Sequence, residues 1–218
     1  MLPYWIPPTR TDIEIANAVS EYTNSRAERA AELLTWGADE HVLLAVAAGW
    51  WLYCRRGSLT QRKNSDHLLL TTLAVSLIPH LLKNIFDQRR PDRLTVRGHF
   101  RGVPISGKPL DAFPSGHAMH VGALASAATV LPPTKRNLVW ALGAGLALSR
   151  VVLLAHWASD VVAGLALGAL AERLLRPLTG YGASSRSTEK ALGRSRPRAV
   201  IGEFSKRWYD PMGTAGVR

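Results

Sequence analysis

Ser149-Arg150-Val-Val-Leu-Leu-Ala-His156-Trp-Ala-Ser-Asp160 joins the last two apolar runs of a 218-residue chain. Arg150, His156 and Asp160 are the polar exceptions in a region that is otherwise apolar. His156 and Asp160 stand four apart, so a helix running on from His156 would place both side chains on one face, one turn apart. A carboxylate so placed can hold one imidazole nitrogen and aim the other outward, which is half of a nucleophile or base arrangement. Arg150 would close the preceding helix, with its guanidinium ready to fork onto an anion. Alone, the three residues equally describe a water-facing helix end, and the rest of the chain decides between the two.

The length suits one domain with tails, and 47% apolar residues can build a sizeable core. A mean hydropathy of +0.01 conceals an apolar middle between polar ends. The net charge is +11. The cations lie in loops between apolar runs and in the C-terminal tail rather than among aromatics on one face. That placement argues against nucleic acid and for a basic membrane protein beside anionic lipid. The single cysteine, Cys54, excludes an internal disulfide. The first residues lack the basic region and apolar core of a secretory signal, so no cleaved leader is expected.

Thr11 to Leu34 has amphipathic helical spacing, with capping boxes at Thr11/Glu14 and Ser25/Glu28 and a break near Thr23-Asn24. It is too charged to span a bilayer and is expected to lie on the membrane surface or pack across the domain. Five apolar runs follow: 41–54, 68–86, 118–131, 138–155 and 157–175. Several fall short of the roughly 20 residues of a spanning helix. Trp50, Trp51 and Tyr53 before Arg55-Arg56 nevertheless resemble an interfacial belt. The small-residue pairs Gly164/Gly168 and Ala141/Gly145 would allow close helix packing in lipid. The fold expected is all-α, a membrane-embedded helical bundle of about five transmembrane helices plus an N-terminal amphipathic helix. Its divisions are an amphipathic segment (1–37), a membrane helical catalytic domain (38–176) and a basic tail read as largely disordered (177–218). Threading five spans collects the basic segment 55–66, the basic segment 132–137 and the tail on one side. The positive-inside rule makes that side cytoplasmic. The loop 87–114 and the Ala155-His156 turn then face outward from the inner membrane.

On that outer side the second run ends at Lys83, followed by Arg90-Pro91. Pro114-Ser115-Gly116-His117 opens the third run, Arg150 closes the fourth, and His156 and Asp160 open the fifth. Three cations at an apolar boundary are costly unless an anion binds there. The helix start at Ser115 and Gly116 offers backbone N–H groups and a dipole to such an anion, and phosphate fits best. Two histidines then suggest a reaction in which one imidazole attacks phosphorus and the other protonates the departing oxygen. Asp160 marks His156 as the oriented nucleophile and leaves His117 as general acid. Lys83, Arg90 and Arg150 would neutralise the transferring group.

These residues resemble the signature of the type 2 phosphatidic acid phosphatase superfamily. Lys83…Arg90-Pro91, Pro114-Ser115-Gly116-His117 and Ser149-Arg150…His156…Asp160 match its three motifs in order and without departure. The resemblance implies a helical bundle, a phosphohistidine intermediate, no metal and no cofactor. It assigns Lys83, Arg90, Ser115, Gly116, His117 and Arg150 to phosphate, with His117 also the acid and His156 the nucleophile. The substrate expected is a lipid phosphate such as phosphatidic acid, phosphatidylglycerol phosphate or a polyprenyl diphosphate, reaching the pocket laterally. A lipid phosphotransferase using the same phosphohistidine, or a non-catalytic lipid- or anion-binding membrane protein, would carry the same motifs. The sequence leaves oligomeric state open. His120, one turn from His117, is read as a packing residue, His80 after Pro79 as a kink-site histidine bonded to backbone, and Asp111 as a substrate contact or turn residue.

Overall fold

The computed structural model describes residues 3–91 and 110–183. Seven α-helices account for most of the described residues: α1 Arg10–Tyr22, α2 Ser25–Thr35, α3 Glu40–Cys54, α4 Leu59–Leu82, α5 Gly116–Ala127, α6 Pro133–Val152 and α7 Ala158–Thr179. The all-α helical bundle expected from the apolar runs is thus present. The described residues add a two-residue parallel pairing of β1 (Tyr4–Trp5) with β2 (Phe86–Asp87) and an isolated parallel bridge between Gln88 and Asp111. Met1–Gly182 forms one compact unit and Ala183–Arg218 is assigned to a second. Of the tail read as largely disordered (177–218), residues 177–183 are described: α7 continues to Thr179 because Thr179 and Tyr181 pack on His67. The rest of the tail lies outside the described residues, as do Arg93, Arg97, His99, Arg101 and Lys108 of the long loop.

The N-terminal segment breaks where its pattern indicated, but its caps sit elsewhere. Thr9, rather than Thr11, caps α1 in a reciprocal box with Asp12. Asn24, rather than Ser25, caps α2. In each case the side chain one turn before the helix's third residue takes the free N–H groups, and a residue already inside the helix cannot.

The short helix α5 is the centre of the bundle. Residues 118–123 and Ser126 are buried, because α4, α6 and α7 surround the helix. Its closest neighbour is α7. A side chain added at Gly168 would run into the Met119 backbone, and one at Gly122 into the Leu165 backbone. The Gly164/Gly168 pair therefore serves close packing as its spacing suggested. Ala141/Gly145 does not: a Cβ at Gly145 would meet nothing within 4 Å, and Gly143 faces Val121 instead.

Among the described residues one helix, α4, is long and apolar enough to cross a membrane. α3 and α5, with 15 and 12 residues, reach only about 22 and 18 Å at 1.5 Å per residue. The outward faces of α3, α4, α6 and α7 are nonetheless apolar: Leu52, Leu73, Leu77, Leu142, Leu148, Val162, Leu170 and Leu174 are all exposed. Large apolar side chains are thus exposed on each of these four helices.

Candidate active site

The end of α4, the start of α5, the end of α6 and the start of α7 meet at one end of the bundle. They enclose a cavity of about 210 Å³ lined by Lys83, Arg90, Gly116, His117, Arg150 and His156. Six of the eight residues singled out in the sequence therefore share one wall. Ser115 and Asp160 lie behind it, fully buried. The Ser115 N–H donates to the Asp160 carbonyl (3.3 Å), and its hydroxyl accepts the Ala118 N–H (3.4 Å). The Ser115 amide expected to face an anion is thus spent on joining α5 to α7.

His156 is placed by a turn, not by a helix. The Arg150 carbonyl accepts the N–H groups of Ala155 and His156 at 3.1 and 3.3 Å. This ties the two site residues through a single atom. Leu154, buried within the turn, has φ of 50°, a left-handed conformation that costs a leucine about 1–2 kcal/mol and persists only because its surroundings impose it. Helix α7 begins at Ala158, so the four-residue spacing to Asp160 does not act through a helical face. His156 Nδ1 instead lies 2.7 Å from the Ala112 carbonyl and 3.9 Å from Asp160 Oδ2. The direct Asp160–His156 hydrogen bond expected from spacing is not made. Asp160 Oδ2 accepts the Trp157 N–H at 3.0 Å. A carbonyl oxygen can only accept, so Nδ1 carries the proton and Nε2 keeps its lone pair. Burial, then the charges of Arg90, Arg150 and Lys83, hold this imidazole well below its usual pKa, against a raising contribution from the Ala112 carbonyl. It is neutral at neutral pH, with the Nε2 lone pair free to act as a base or nucleophile would.

His117, in the first turn of α5, also lines the cavity. Its buried Nε2 has no hydrogen-bond partner among the described residues. Arg150 donates from Nη1 to Thr35 Oγ1 at 3.2 Å, and its buried Nε is also without a partner among those residues. Arg90 donates from Nη1 to the Ala155 carbonyl (2.8 Å) and from Nη2 to Asp111 Oδ1 (3.0 Å). Lys83 Nζ lies 3.6 Å from Asp111 Oδ2. Burial draws the Lys83 ammonium below its ordinary pKa, with Asp111 opposing this and Arg90 adding to it. One carboxylate, Asp111, thus faces two cations, Arg150 has a neutral partner, and Asp39 and Glu40 also line the cavity. The guanidinium and ammonium donors converging there suit an anion with several oxygens.

Pattern reasoning missed several contributors. Asp111 was weighed only as a contact or turn residue. Thr35, Asp39 and Glu40 come from the N-terminal part of the chain, with Asp39 and Glu40 lining the cavity. His120 is buried, 3.3 Å from Ser76 Oγ at Nε2, and also reaches the cavity. His80 does not bond backbone at the Pro79 kink; its Nε2 lies 3.4 Å from Glu40 Oε2. No local signal in the sequence joins α3 to the end of α4.

The sequence model of the PAP2 superfamily matches residues 67–181, more than half of the chain and every residue of the cavity wall from Lys83 to His156. This chain belongs to the PAP2 superfamily. Among PAP2 relatives, the lipid A 1-phosphatase of Rhizobium johnstonii is 39% identical over 104 residues, 47% of this chain and 43% of that protein. The lipid A 1-phosphatase of Rhizobium etli is 39% identical over 103 residues, again 47% of this chain and 44% of the relative. The chain thus matches less than half the length of either. Among solved structures, the transmembrane PAP2-type phosphatidylglycerolphosphate phosphatase of Bacillus subtilis superposes with a TM-score of 0.58 at 23% identity. The match covers 77% of this chain and 84% of that one, a likeness of fold. The PAP2 match begins at residue 67, so α1, α2 and α3 all precede it.

Proposed function

We propose that this PAP2 protein is a membrane-embedded lipid phosphatase that hydrolyses a phosphomonoester or diphosphate of a lipid through a phosphohistidine. The observation that carries this reading is the cavity itself: Lys83, Arg90 and Arg150 share one space with the His117 and His156 imidazoles, and His156 Nε2 is left as a lone pair by the Ala112 carbonyl. Lys83, Arg90 and Arg150, with the Gly116 backbone at the start of α5, bind the phosphoryl oxygens and neutralise the charge of transfer. His156 Nε2 attacks phosphorus while the bond from phosphorus to the lipid oxygen breaks, and His117 donates its proton to that leaving oxygen. Water, deprotonated by His117, then attacks the phosphohistidine, releasing phosphate and restoring His156. Asp160 at 3.9 Å is too far to hydrogen-bond Nδ1, and it supports the imidazole by fixing the Trp157 backbone. No step calls on a metal.

The exposed apolar side chains on α3, α4, α6 and α7 support a bilayer as solvent. On this reading 38–176 is the catalytic helical domain, 1–37 an accessory segment and 177–218 a cytoplasmic tail. The domain sits in the inner membrane with its cavity facing outward. Names of the relatives support a lipid phosphate as substrate. The deciding experiment is phosphate release from a panel of lipid monophosphates and diphosphates by purified protein in detergent. Turnover is expected on at least one lipid, to survive chelators and to be inhibited by vanadate. A strict magnesium requirement would overturn the histidine route.

A further inference from the structure

Helix α7 starts without a side-chain cap of its own, because its capping position is Trp157, which has no acceptor oxygen. Asp12 of α1 supplies one from 147 residues away. Its Oδ1 accepts the Ser159 N–H at 2.9 Å and its Oδ2 the Ser159 hydroxyl at 2.8 Å. The same carboxylate accepts the N–H and hydroxyl of Thr9 at 3.0 and 2.8 Å. One side chain, 2% exposed, therefore caps two helices. Burial pushes its carboxyl up, but the bonds from Ser159 and Thr9 outweigh it, so the net pKa lies below the ordinary value and the group is a carboxylate. Around it, Ala16 on α1 packs in one buried cluster with Ala112, Leu154 and Trp157, with Ile13 and Val19 against them. These are the residue whose carbonyl holds His156, the strained leucine of its turn, and the residue after it.

We propose that Asp12 is a positioning residue for the nucleophile: by capping α7 at Ser159, it and the α1 face press the His156 turn and the Ala112 carbonyl into the register the reaction needs. The inference rests on the reading of His156 as nucleophile. It assigns the N-terminal segment, which lies outside the matched PAP2 region, a share in the chemistry. Asp12 touches no substrate and acts through Ser159 and the turn.

The test uses the full chain in detergent and reads phosphate release and the rate of labelled phosphoenzyme formation. Asp12→Asn keeps the volume and one acceptor but cannot satisfy Ser159 and Thr9 together. It is expected to lower kcat and phosphoenzyme formation by about 10- to 100-fold, the order that misplacement of a reacting group costs, with KM changed less than about two-fold. Ser159→Ala removes only the hydroxyl bond and is expected to lower kcat about 3-fold. Asn24→Ala, which removes a cap bonded only within α2, serves as control and is expected to leave kcat unchanged. Wild-type kcat in Asp12→Asn, or an equal fall in Asn24→Ala, overturns the proposal. Should Asp12→Asn fail to fold, an unchanged kcat in Ser159→Ala overturns it instead. A fully active His156→Ala defeats the nucleophile reading itself, and is thereby distinguished from a failure of positioning in an enzyme that does need His156.

Discussion

Helices α4, α5 and α7 each carry a buried polar cluster at both ends, and the two clusters are built on opposite terms. At the end away from the cavity, Glu172 is fully buried and completely satisfied. Oε1 accepts from Arg176 Nε (2.8 Å) and lies 3.0 Å from His67 Nε2, while Oε2 accepts from Ser126 Oγ (2.6 Å) and Arg176 Nη2 (2.8 Å). His67 Nδ1 is taken by Thr179, and its ring stacks on Tyr181 at 4.2 Å. Charge is matched by charge, and the partners come from α4, α5 and α7 itself. At the cavity end, cations outnumber the one lining carboxylate that pairs with them, and His117 Nε2 and Arg150 Nε have no partner among the described residues. A closed network gains nothing from a ligand. An open one, with imidazole and guanidinium nitrogens left unpartnered, is stabilised by an anion.

The comparison breaks if the two clusters respond alike to mutation. His156→Ala should cost at least three orders of magnitude in turnover while circular dichroism and melting temperature stay near wild type. Glu172→Ala should do the reverse. Removing one partner of a buried pair costs about 3–5 kcal/mol, so Tm should fall steeply in a detergent melt, and turnover per folded molecule should persist. Arg150→Ala should lower kcat/KM by about 10²–10³-fold, the scale of losing one donor to developing charge. Its stability should change little or improve, because one unpaired cation leaves a buried wall. A melting temperature lowered as far as that of Glu172→Ala would mean that the cavity cations are structural.

Acid titration sharpens the same contrast. Protonation of His156 Nε2 removes the nucleophilic lone pair. Its lowered pKa means the inactivating proton binds only at pH below the ordinary imidazole value of 6.5. The acid limb of kcat/KM assigned to His156 should therefore lie below pH 6.5, measured against the independently determined ionisation of the substrate phosphate. A limb at or above 6.5 belonging to His156 would contradict its burial among three cations. The smallest effect belongs to Ser126→Ala, which removes one of the bonds to Glu172 while Arg176 retains Oε2. A loss of about 1 kcal/mol in stability with unchanged turnover is expected by thermal melting and phosphate release.

Much of the cavity was legible because its members punctuate helix ends. Lys83, His117, Arg150 and His156 each stand where an apolar run begins or stops, and antiparallel threading brings alternate ends together. The partner of each group was less legible. Spacing put Asp160 on His156 Nδ1, yet the chain delivers the Ala112 carbonyl there, since His156 sits in a turn before α7 rather than within it. Asp111 could be placed on Lys83 and Arg90 only once the loop was folded back. Glu172 and His67 carried no motif, although a glutamate inside an apolar run is costly without partners.

The sequence by itself determined the helical class, the break in the N-terminal segment, the small-residue seam of Gly164 and Gly168, and the motif residues that gather at one end. These follow from local periodicity, capping chemistry and the cost of charge in an apolar run, all readable within a few turns of chain. Only the tertiary structure decided which atom meets which. It placed Ala112 rather than Asp160 on Nδ1, turned the Ser115 amide inward onto α7, closed the Glu172 network and lent Asp12 to a helix 147 residues away. The physical reason is that a buried hydrogen bond is satisfied by whatever acceptor packing brings within about 3 Å, and that choice depends on the meeting of distant segments.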